Sequence, residues 1–387
     1  MLRAFVNGRI LGDEHIEAGR AVLVEDGVIV DVVAADEARV ATAQQHDLAG
    51  QLLLPGFIDT QVNGGGGVLF NDAPEVDSLR RIAAAHARYG TTGLLPTLIS
   101  DDLDVMRRAV AAVDAAIAAG VPGILGIHLE GPFLSLERRG VHDPAKIRAI
   151  DAQGVDVASS LKRGKTLLTL APEHTTTQVI RELGARGVIV AAGHTTASYE
   201  QMRVALAAGV RGFTHLFNAM TPLQSREPGV VGAALDDAAS WCGLIVDGHH
   251  VHPATLRVAI RAKAAGQMML VTDAMPPVGA DDPTFRLGGE LVTCSDGICL
   301  TPGGVLAGSC LDMAAAVRNT VAMLGQPLAE AVRMAATYPA TFLGLAATHG
   351  RIAAGCRADL VVADDSLRVR ETWIGGERVF GAGIATP

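Results

Sequence analysis

Eight short apolar runs, separated by alanine-rich segments of helical periodicity, constrain the fold of this chain more than any other feature. The runs cover residues 52–58, 93–99, 124–129, 166–170, 188–192, 212–214, 243–246 and 269–272. The helical segments include 76–89, 101–119, 197–208 and 253–265, with two more after the eighth run at 311–324 and 328–336. This alternation is typical of βα units that build a parallel sheet. Eight units predict an α/β fold, a (β/α)₈ TIM-type barrel over residues 51–349.

A doubly wound open sheet is the alternative arrangement of the same units. Such a sheet normally carries a glycine-rich phosphate loop directly after its first strand. Here the glycines at 64–67 lack the G-x-G-x-x-G spacing, and no helical segment follows them directly. The barrel is therefore the favoured arrangement.

Both ends of the chain are rich in strand-like runs. Residues 20–31 read as two strands joined by a turn that contains Gly27, and a glycine pair at 375–376 separates two further runs. The termini of compact proteins often lie close together. We therefore expect residues 1–50 and 350–387 to form one small β-sandwich domain.

The composition excludes several classes of protein. Of 387 residues, 49% are hydrophobic and 19% are charged, against about 25% charged in typical globular domains, so a large core is expected. The net charge of −9 lacks the basic balance of nucleic-acid-binding proteins. The longest stretch without Asp, Glu, Lys or Arg, 334–350, is shorter than the ~20 apolar residues of a membrane span, and charges interrupt the N-terminus where a signal peptide is apolar. We expect a cytoplasmic protein with no nucleic-acid or membrane partner.

The cysteines give no sign of a shared role. They are Cys242, Cys294, Cys299, Cys310 and Cys356. Their number is odd and they contain no C-x-x-C pair, which argues against a disulfide framework or a thiolate zinc site. The sequence therefore predicts reduced thiols.

Polar residues follow nearly every apolar run. In a barrel of this kind the active site lies at the C-terminal ends of the strands, and burying so many polar groups without partners would be costly. The polar residues at these positions are Asp59, Gln61, Asn63, Glu130, Glu173, His174, His194, His215, Asp247, His249, His250 and Asp273. We therefore expect them to converge on one functional site.

One carboxylate and two imidazoles in this set, Glu130, His194 and His215, have the composition of a catalytic zinc site that leaves a fourth position for water. Asp273, at the eighth strand, is placed to act as the base. A single Glu or His after a strand is more often a satisfied core residue or a cap, but four at separate strand ends favour a metal site. We expect one divalent metal ion, Zn²⁺, with Fe²⁺ as the alternative because the same donors suit both.

Arg226 is a candidate for binding an anion. It lies in a long loop that contains glycine and proline after the sixth run, and an arginine can hold a phosphate group through two hydrogen bonds. The alternative is a surface arginine that pairs with Glu227. In an acidic protein, any anionic substrate needs such a local cation.

Seven strings, in order along the chain, resemble the N-acetylglucosamine-6-phosphate deacetylase family of the amidohydrolase superfamily. They are Leu54-Pro-Gly-Phe-Ile-Asp-Thr-Gln-Val-Asn-Gly, His128-Leu-Glu-Gly-Pro-Phe, Gly193-His-Thr, Thr214-His-Leu-Phe-Asn-Ala-Met, Asp247-Gly-His-His-Val, Val271-Thr-Asp-Ala-Met and Leu306-Ala-Gly-Ser. The resemblance covers nearly the whole chain, including a closing β segment that starts at Gly350.

The resemblance implies metal-dependent removal of the acetyl group from N-acetyl-D-glucosamine 6-phosphate, which gives D-glucosamine 6-phosphate and acetate in amino sugar metabolism. It implies that Glu130, His194 and His215 hold the metal, that Asp273 is the catalytic acid and base, and that His142 contacts the acetyl carbonyl. The other substrate contacts that it implies are Asn218, Ala219, Arg226, His250, Leu306, Ala307, Gly308 and Ser309. It also implies a homodimer, in which a phosphate ligand comes from the neighbouring subunit.

One departure from the superfamily pattern affects the expected number of metal ions. Many amidohydrolases begin the barrel with His-x-His, whereas Gln61-Val-Asn63 stands here. Two amides are poor replacements for two imidazoles as metal ligands, so a single metal is expected. Gln61, Asn63 and His128 are expected to lie behind the ligands and hold them in place. Phe133, where the family often has tryptophan, keeps an aromatic wall.

Other functions remain open alternatives. The chain could be an N-acetylgalactosamine-6-phosphate deacetylase or another amidohydrolase, such as a cyclic-amide hydrolase or a deaminase, with the same barrel and metal. A metal-free barrel that binds a sugar phosphate without catalysis belongs to a different class. Arg226 favours a phosphorylated substrate, and the presence of Asp273 beside the expected ligands weighs against a simple binder.

Overall fold

A nearly closed barrel of eight parallel strands occupies the centre of the computed structural model, which describes residues 1–12, 14–295 and 297–382. Residues 383–387 of the predicted C-terminal segment lie outside this description. The barrel strands are Phe57–Val62, Thr91–Ile99, Gly126–Glu130, Lys165–Leu170, Val188–Ala192, Gly212–Phe213, Trp241–Leu244 and Met268–Leu270, and they neighbour one another in chain order. A parallel bridge between Val62 and Ala274 links the last strand to the first. The predicted barrel is confirmed.

Helices cover the barrel, including all six segments that the sequence analysis names as helical. They are Val76–Ala87, Leu103–Ala118, Ala152–Ala158, Thr177–Ala185, Tyr199–Ala208, Gly229–Asp236, Pro253–Ala262, Met313–Leu324, Leu328–Ala335 and Thr337–Phe342, with short 3₁₀ turns at Leu136–Arg138 and Pro172–His174. Local chemistry sets their ends. For example, the Ser198 hydroxyl accepts a hydrogen bond from the Gln201 amide while the Gln201 side chain accepts one from the Ser198 amide, a capping box that starts the fifth helix. None of the helices within the described ranges is long and apolar enough to cross a membrane.

The prediction of one first strand over residues 52–58 was wrong, because this run forms two strands in different sheets. Leu52–Pro55 pairs with terminal strands, whereas Phe57–Val62 enters the barrel. The chain passes from one sheet to the other at Gly56, where an added Cβ would lie 2.1 Å from Thr92 Oγ1. Both strands are buried on both faces, so the hydrophobic pattern continues through Gly56 without a break.

The two ends of the chain form two mixed sheets. The four-stranded sheet contains Arg3–Val6, Arg20–Glu25, Val28–Ala34 and Gln44–Asp47, and the six-stranded sheet contains Arg9–Leu11, Ile16–Ala18, Leu52–Pro55, Leu360–Ala363, Val369–Ile374 and Glu377–Phe380. The short helix Ala38–Thr42 lies between strands of the first. Both predicted hairpins are present, and Phe5, Leu53 and Trp373 share one buried cluster. The position of the domain boundary stays a prediction, and the pairing of Leu52–Pro55 argues for placing it after Pro55.

A small antiparallel sheet that the sequence analysis did not predict follows the eighth barrel strand. Its strands are Thr284–Leu287, Glu290–Ser295, Ile298–Leu300 and Leu306–Ser309, and we call it the lid sheet. A disulfide joins Cys294 to Cys299 on two of these strands. The prediction of reduced cysteines was therefore wrong for this pair, because the spacing gave no sign that a hairpin sets the two residues opposite each other.

A buried cluster around Phe342 packs the barrel strands against the last helix. Its members from the strands are Ile58, Leu95, Leu167, Ile189, Ala191, Trp241 and Met269. Phe342 is fully buried and its ring centroid lies 6.1 Å from that of Trp241. A phenyl ring in such a cluster contributes both apolar burial and close packing.

Phe342→Ala should lower the free energy of unfolding by about 3–5 kcal/mol, because the lost ring leaves a cavity that neighbouring strands cannot fill. Urea unfolding followed by circular dichroism measures this change. Val258→Ala, on an exposed helix face, is the control and should change stability by less than about 0.5 kcal/mol. Equal effects of the two substitutions would contradict the packing role of Phe342.

Candidate active site

A buried carboxylate and two imidazoles meet at the ends of three barrel strands. Glu130 is the last residue of the third strand, and His194 and His215 each lie two residues beyond a strand. Nε2 of His194 lies 3.1 Å and Nε2 of His215 lies 3.0 Å from Oε1 of Glu130, and the two nitrogens are 3.0 Å apart. All three side chains are buried. The structure thus brings the three predicted metal ligands together.

The backbone at the site leaves the strand conformation abruptly. His194, His215 and Asp273 have φ angles of 49°, 32° and 54°, a left-handed region in which residues other than glycine cost about 1–3 kcal/mol. Neighbouring backbone holds this conformation, since the Ser135 amide donates to the His194 carbonyl at 2.9 Å. Three of the non-glycine residues with left-handed backbone therefore carry side chains of the predicted site.

The Nδ1 atoms, which point away from the cluster, differ between the two histidines: that of His194 has a hydrogen-bond partner and that of His215 has none among the described residues. His194 Nδ1 lies 2.8 Å from the Arg138 carbonyl oxygen, so Nδ1 carries the proton and Nε2 presents a lone pair to Glu130. His215 Nδ1 is buried and has no hydrogen-bond partner among the described residues. Glu173 accepts hydrogen bonds from the Thr196 amide at 2.6 Å and from the Thr195 hydroxyl at 2.5 Å, which anchors the segment after His194.

Asp273 lies beside this cluster and is held by two amides. Gln61 Nε2 donates to Asp273 Oδ1 at 3.0 Å, and Asn63 Nδ2 donates to the same oxygen at 2.6 Å. Gln61 also donates to both carboxylate oxygens of Glu130 at 3.3 Å. Burial, reinforced by the negative charge of Glu130, raises the pKa of Asp273. The protonated form of Asp273 is therefore favoured relative to that of an exposed aspartate.

The pKa of Glu130 is shifted in the opposite direction from that of Asp273. Burial alone raises the pKa of a carboxyl group, but the imidazoles of His194 and His215 in contact with Glu130 outweigh it and hold the pKa of Glu130 well below its usual range. Burial also lowers the pKa of His215, yet its bond with Glu130 raises the net value. Glu130 is thus the permanent negative charge of the site.

His142 faces the same cavity as a neutral imidazole. Its Nδ1 accepts a hydrogen bond from the Ser100 amide at 3.2 Å and lies 2.7 Å from the Ser100 hydroxyl. The proton therefore sits on Nε2, which leaves that N–H to donate to a ligand. Burial and the nearby His194 lower the pKa of His142 to about 3. The ring stays uncharged at any physiological pH.

His250 also lines the cavity, and Asp247 holds its ring. His250 Nδ1 donates to Asp247 Oδ2 at 2.6 Å, and the backbone amides of His249 and His250 donate to Oδ1 at 2.8 and 2.9 Å. Burial raises the pKa of Asp247, but these hydrogen bonds and the neighbouring imidazole outweigh it and lower the net value. The ionised Asp247 fixes the orientation of the ring.

The cluster fits a divalent metal ion. Two imidazole nitrogens and a carboxylate oxygen present lone pairs to one another at 3.0–3.1 Å, and one shared cation satisfies all three at once. The buried, unpartnered Nδ1 of His215 means that Nε2 is the nitrogen directed at the cluster. Glu130, His194 and His215 would hold the ion, and the amides of Gln61 and Asn63 offer much weaker ligands for a second one.

A cavity of about 350 Å³ opens above this cluster. Its lining includes eleven residues named by the sequence analysis: Asn63, Glu130, His142, His194, His215, Asn218, Ala219, His250, Asp273, Leu306 and Gly308. The other site residues named by the sequence analysis lie outside the lining: Asp59, Gln61, His128, Glu173, His174, Arg226, Asp247, His249, Ala307 and Ser309. Arg226 is exposed on its loop, whereas the Ser309 hydroxyl is buried and donates to the Thr272 carbonyl at 2.5 Å.

Seven residues of the cavity wall were not predicted from the sequence. Ile99, Gly140, Val141, Met275, Leu287, Gly304 and Val305 also line the cavity. Ile99 ends a barrel strand and Met275 closely follows one, so their positions could have been found by the strand-end rule. Leu287 and Val305 belong to the lid sheet region, and apolar residues in a loop carry no such signal.

His128 and Asp59 form polar layers beneath the site. His128 bridges Thr97 Oγ1 at 3.1 Å and Thr169 Oγ1 at 2.7 Å, and burial lowers its pKa to about 4. Burial raises the pKa of Asp59 to about 7, although its 2.5 Å bond from the Thr272 hydroxyl opposes this. Both groups satisfy buried polar neighbours and lie behind the ligands, not in the cavity.

The family model that matches this chain is that of the amidohydrolase family, over residues 52–379. This match spans the barrel, the lid sheet and the closing strands. The chain belongs to the amidohydrolase family. Within that family it groups with the sugar-phosphate deacetylases.

Three similar proteins illustrate this grouping. An N-acetylgalactosamine-6-phosphate deacetylase of Shewanella sp. (strain ANA-3) is 44% identical over 97% of this chain and 95% of its own. The structure of an N-acetylglucosamine-6-phosphate deacetylase from Pasteurella multocida is 36% identical, with a TM-score of 0.93 over 98% of this chain and 99% of that one. A mutant of the Mycobacterium smegmatis deacetylase, in complex with N-acetyl-D-glucosamine 6-phosphate, is 35% identical with a TM-score of 0.88 over 98% and 99%.

Glu130→Gln should remove the metal ion from this amidohydrolase. Loss of a direct ligand should weaken metal binding by more than the 10–100-fold typical of losing an outer hydrogen-bond partner. Metal analysis by mass spectrometry after desalting measures the retained ion per chain. Glu14→Gln, which changes an exposed carboxyl group in the N-terminal segment, is the control and should retain the ion. A full equivalent of metal in the Glu130 variant would place the ion elsewhere.

Proposed function

We propose that this amidohydrolase removes the acetyl group from N-acetyl-D-glucosamine 6-phosphate and releases D-glucosamine 6-phosphate and acetate. The observation that carries the proposal is one cavity that contains the Glu130, His194 and His215 cluster together with Asp273 and the neutral His142. Together these groups can supply a metal site, a proton carrier and a hydrogen-bond donor for amide hydrolysis. The complex of the Mycobacterium smegmatis relative with the same sugar phosphate supports the choice of substrate.

Zn²⁺ is the proposed metal, and Fe²⁺ is the alternative that suits the same donors. When bound, such an ion supplies Lewis-acid polarisation of the amide carbonyl and makes a water molecule more acidic. The remaining parts of the reaction fall to side chains of this chain, which move protons and orient the acetamide.

Asp273 is proposed to carry the proton. Its carboxylate takes a proton from the attacking water and returns it to the nitrogen of the departing amine. The two amide donors both use Oδ1, which assigns the proton to Oδ2. The raised pKa of Asp273 suits this role, because the group must hold the proton between the two steps.

His142 is proposed to bind the acetyl oxygen. Its Nδ1 accepts from the Ser100 amide, so Nε2–H is free to donate to the carbonyl oxygen as negative charge develops there. A neutral ring donates without competing for the proton that Asp273 carries. Ser100 therefore sets the tautomer on which the contact depends.

The sugar phosphate is proposed to be held by Asn218, Ala219, His250 and Arg226. The first three line the cavity, whereas Arg226 lies on an exposed loop. Such a position suits a contact made across an interface between two copies, and we propose a homodimer in which this loop reaches the phosphate site of the neighbouring subunit. A cytoplasmic location is proposed with it.

N-Acetylgalactosamine 6-phosphate is the second candidate substrate. The observation that favours it is the 44% identity to the Shewanella enzyme of that name. The two sugars differ only in the configuration at C4, so the same deacetylation machinery serves both.

Asp273→Asn should lower kcat by about 10²–10⁴-fold or more, because the amide cannot carry the proton used in both steps. Metal content and substrate binding should stay close to those of the parent protein. Asp281→Asn, an exposed neighbour, is the matched control and should keep normal turnover. Near-normal turnover of Asp273→Asn would show that another group is the base.

Acetate release from both 6-phosphates and from the two unphosphorylated sugars tests the substrate. We expect the largest kcat/KM for N-acetyl-D-glucosamine 6-phosphate, and Arg226→Ala should erase the preference for the phosphorylated form. A larger value for the galactosamine epimer would make the second candidate correct. Equal rates with and without phosphate would refute a sugar-phosphate substrate, and no acetate from protein reloaded with Zn²⁺ or Fe²⁺ would favour a binding protein.

A further inference from the structure

Three cysteine sulfurs converge at the lid sheet, away from the Glu130 cluster. The Sγ atoms of Cys294, Cys299 and Cys310 all lie within 4.8 Å of one another, and Cys299 Sγ is 3.2 Å from Cys310 Sγ. Cys294 and Cys299 are joined as a disulfide. The other two cysteines of the chain, Cys242 and Cys356, lie in the barrel and in the terminal domain and stand apart from this group.

Strand pairing brings the three residues together. Cys294 lies directly opposite Cys299 on neighbouring antiparallel strands, with 4.0 Å between their Cα atoms. Ile298 pairs with Ser309 on the next strand, so Cys310 arrives beside Cys299. Opposed residues on one face of an antiparallel pair can place two thiols on the same ion.

The surroundings are apolar. Cys294 and Cys299 are 7% and 0% exposed, and they share a buried cluster with Met275, Phe285 and Val292. Burial raises the pKa of the Cys310 thiol to about 11. Bare thiolates are therefore disfavoured here, whereas a cation that replaces the protons removes this cost.

We propose that Cys294, Cys299 and Cys310 form a second metal site in this protein, a thiolate site for a soft cation such as Zn²⁺. Zn²⁺ bonds to thiolates at about 2.3 Å, which sets the sulfurs roughly 3.8 Å apart in a tetrahedral site. The three sulfurs already lie within 4.8 Å of one another, and opening the disulfide releases two of them to move apart toward this separation. Glu130, His194 and His215 offer only nitrogen and oxygen, so the two sites differ in their ligand chemistry.

The disulfide and the ion are alternative states of the same sulfurs. A phosphine reductant opens the disulfide: the S–S bond breaks, the phosphine is oxidised to its oxide with oxygen from water, and each sulfur receives one proton from that water. Binding of the cation then forms three metal–sulfur bonds and releases the three thiol protons. The site is therefore available only to the reduced protein.

An ion at this position would bear on the cavity through the strand Leu306–Ser309. Leu306 and Gly308 of this strand line the cavity. The Ser309 amide donates to the Asp273 carbonyl at 2.9 Å, and the Met275 amide donates to the Ser309 carbonyl at 3.0 Å. The cation would tie the residue after this strand to the neighbouring hairpin and so stiffen one wall of the active site.

Metal loading of the phosphine-reduced full-length protein tests the proposal. A thiol titration first verifies that all five cysteines are reduced. We expect two equivalents of Zn²⁺ per chain, and on Co²⁺ loading a near-ultraviolet sulfur-to-cobalt charge-transfer band that a nitrogen and oxygen site cannot produce. Cys310→Ala should lose one equivalent and the band. Cys356→Ala, which removes a free buried thiol outside this group, is the control and should keep both.

A further variant distinguishes the metal bound at the cysteines from the metal bound at the Glu130 cluster. Glu130→Gln should lose the other equivalent and keep the sulfur band, so a failure of the catalytic assignment does not affect this result. Cys294→Ser is the second variant should Cys310→Ala fold poorly by circular dichroism. One equivalent without a sulfur band in the fully reduced parent protein, or a band that survives in Cys310→Ala, would overturn the proposal.

Discussion

The buried carboxylate of Glu130 is the charge on which the rest of the site depends. An ionised group beneath the mouth of an apolar barrel is stable only when it is paired and hydrogen-bonded. Two imidazoles and the Gln61 amide surround it, and a bound cation would complete the pairing. The same negative charge helps raise the pKa of Asp273. In the proposed mechanism, one group therefore both holds the metal and prepares its neighbour to carry a proton.

The barrel holds these groups by ending its strands where they are needed. Parallel strands deliver their C-terminal ends to a common rim, and the left-handed backbone at His194, His215 and Asp273 turns the side chains out of the strand direction there. Backbone bonds from neighbouring loops hold these positions. The lid sheet then continues this architecture, because its last strand hydrogen-bonds to the backbone on both sides of Ala274, the residue after Asp273.

The sequence predicted more of the barrel than of its surroundings. Runs of apolar residues identified every barrel strand. They did not show that the first run divides into two strands at Gly56, because the residues before and after Gly56 are equally buried. The strand-end rule found Glu130, His194, His215 and Asp273 from position alone. It missed Leu287 and Val305, since these line the cavity from a small sheet whose apolar residues resemble any other loop. Arg226 was predicted as a phosphate contact from the chemistry of its side chain, and it does not line the cavity.

The sequence by itself determined the eight βα units, the polar residues at their ends and the family resemblance, because all of these are local patterns or ordered strings. Only the tertiary structure decided what depends on through-space distance. The hydrogen bond from the Ser100 amide decides which nitrogen of His142 carries the proton. The side chains of Gln61 and Asn63 both donate to Oδ1 of Asp273, which leaves Oδ2 for the proton. The tertiary structure also brought together three cysteines whose spacing suggested nothing, because strand pairing, not separation along the chain, sets the distance between their sulfurs.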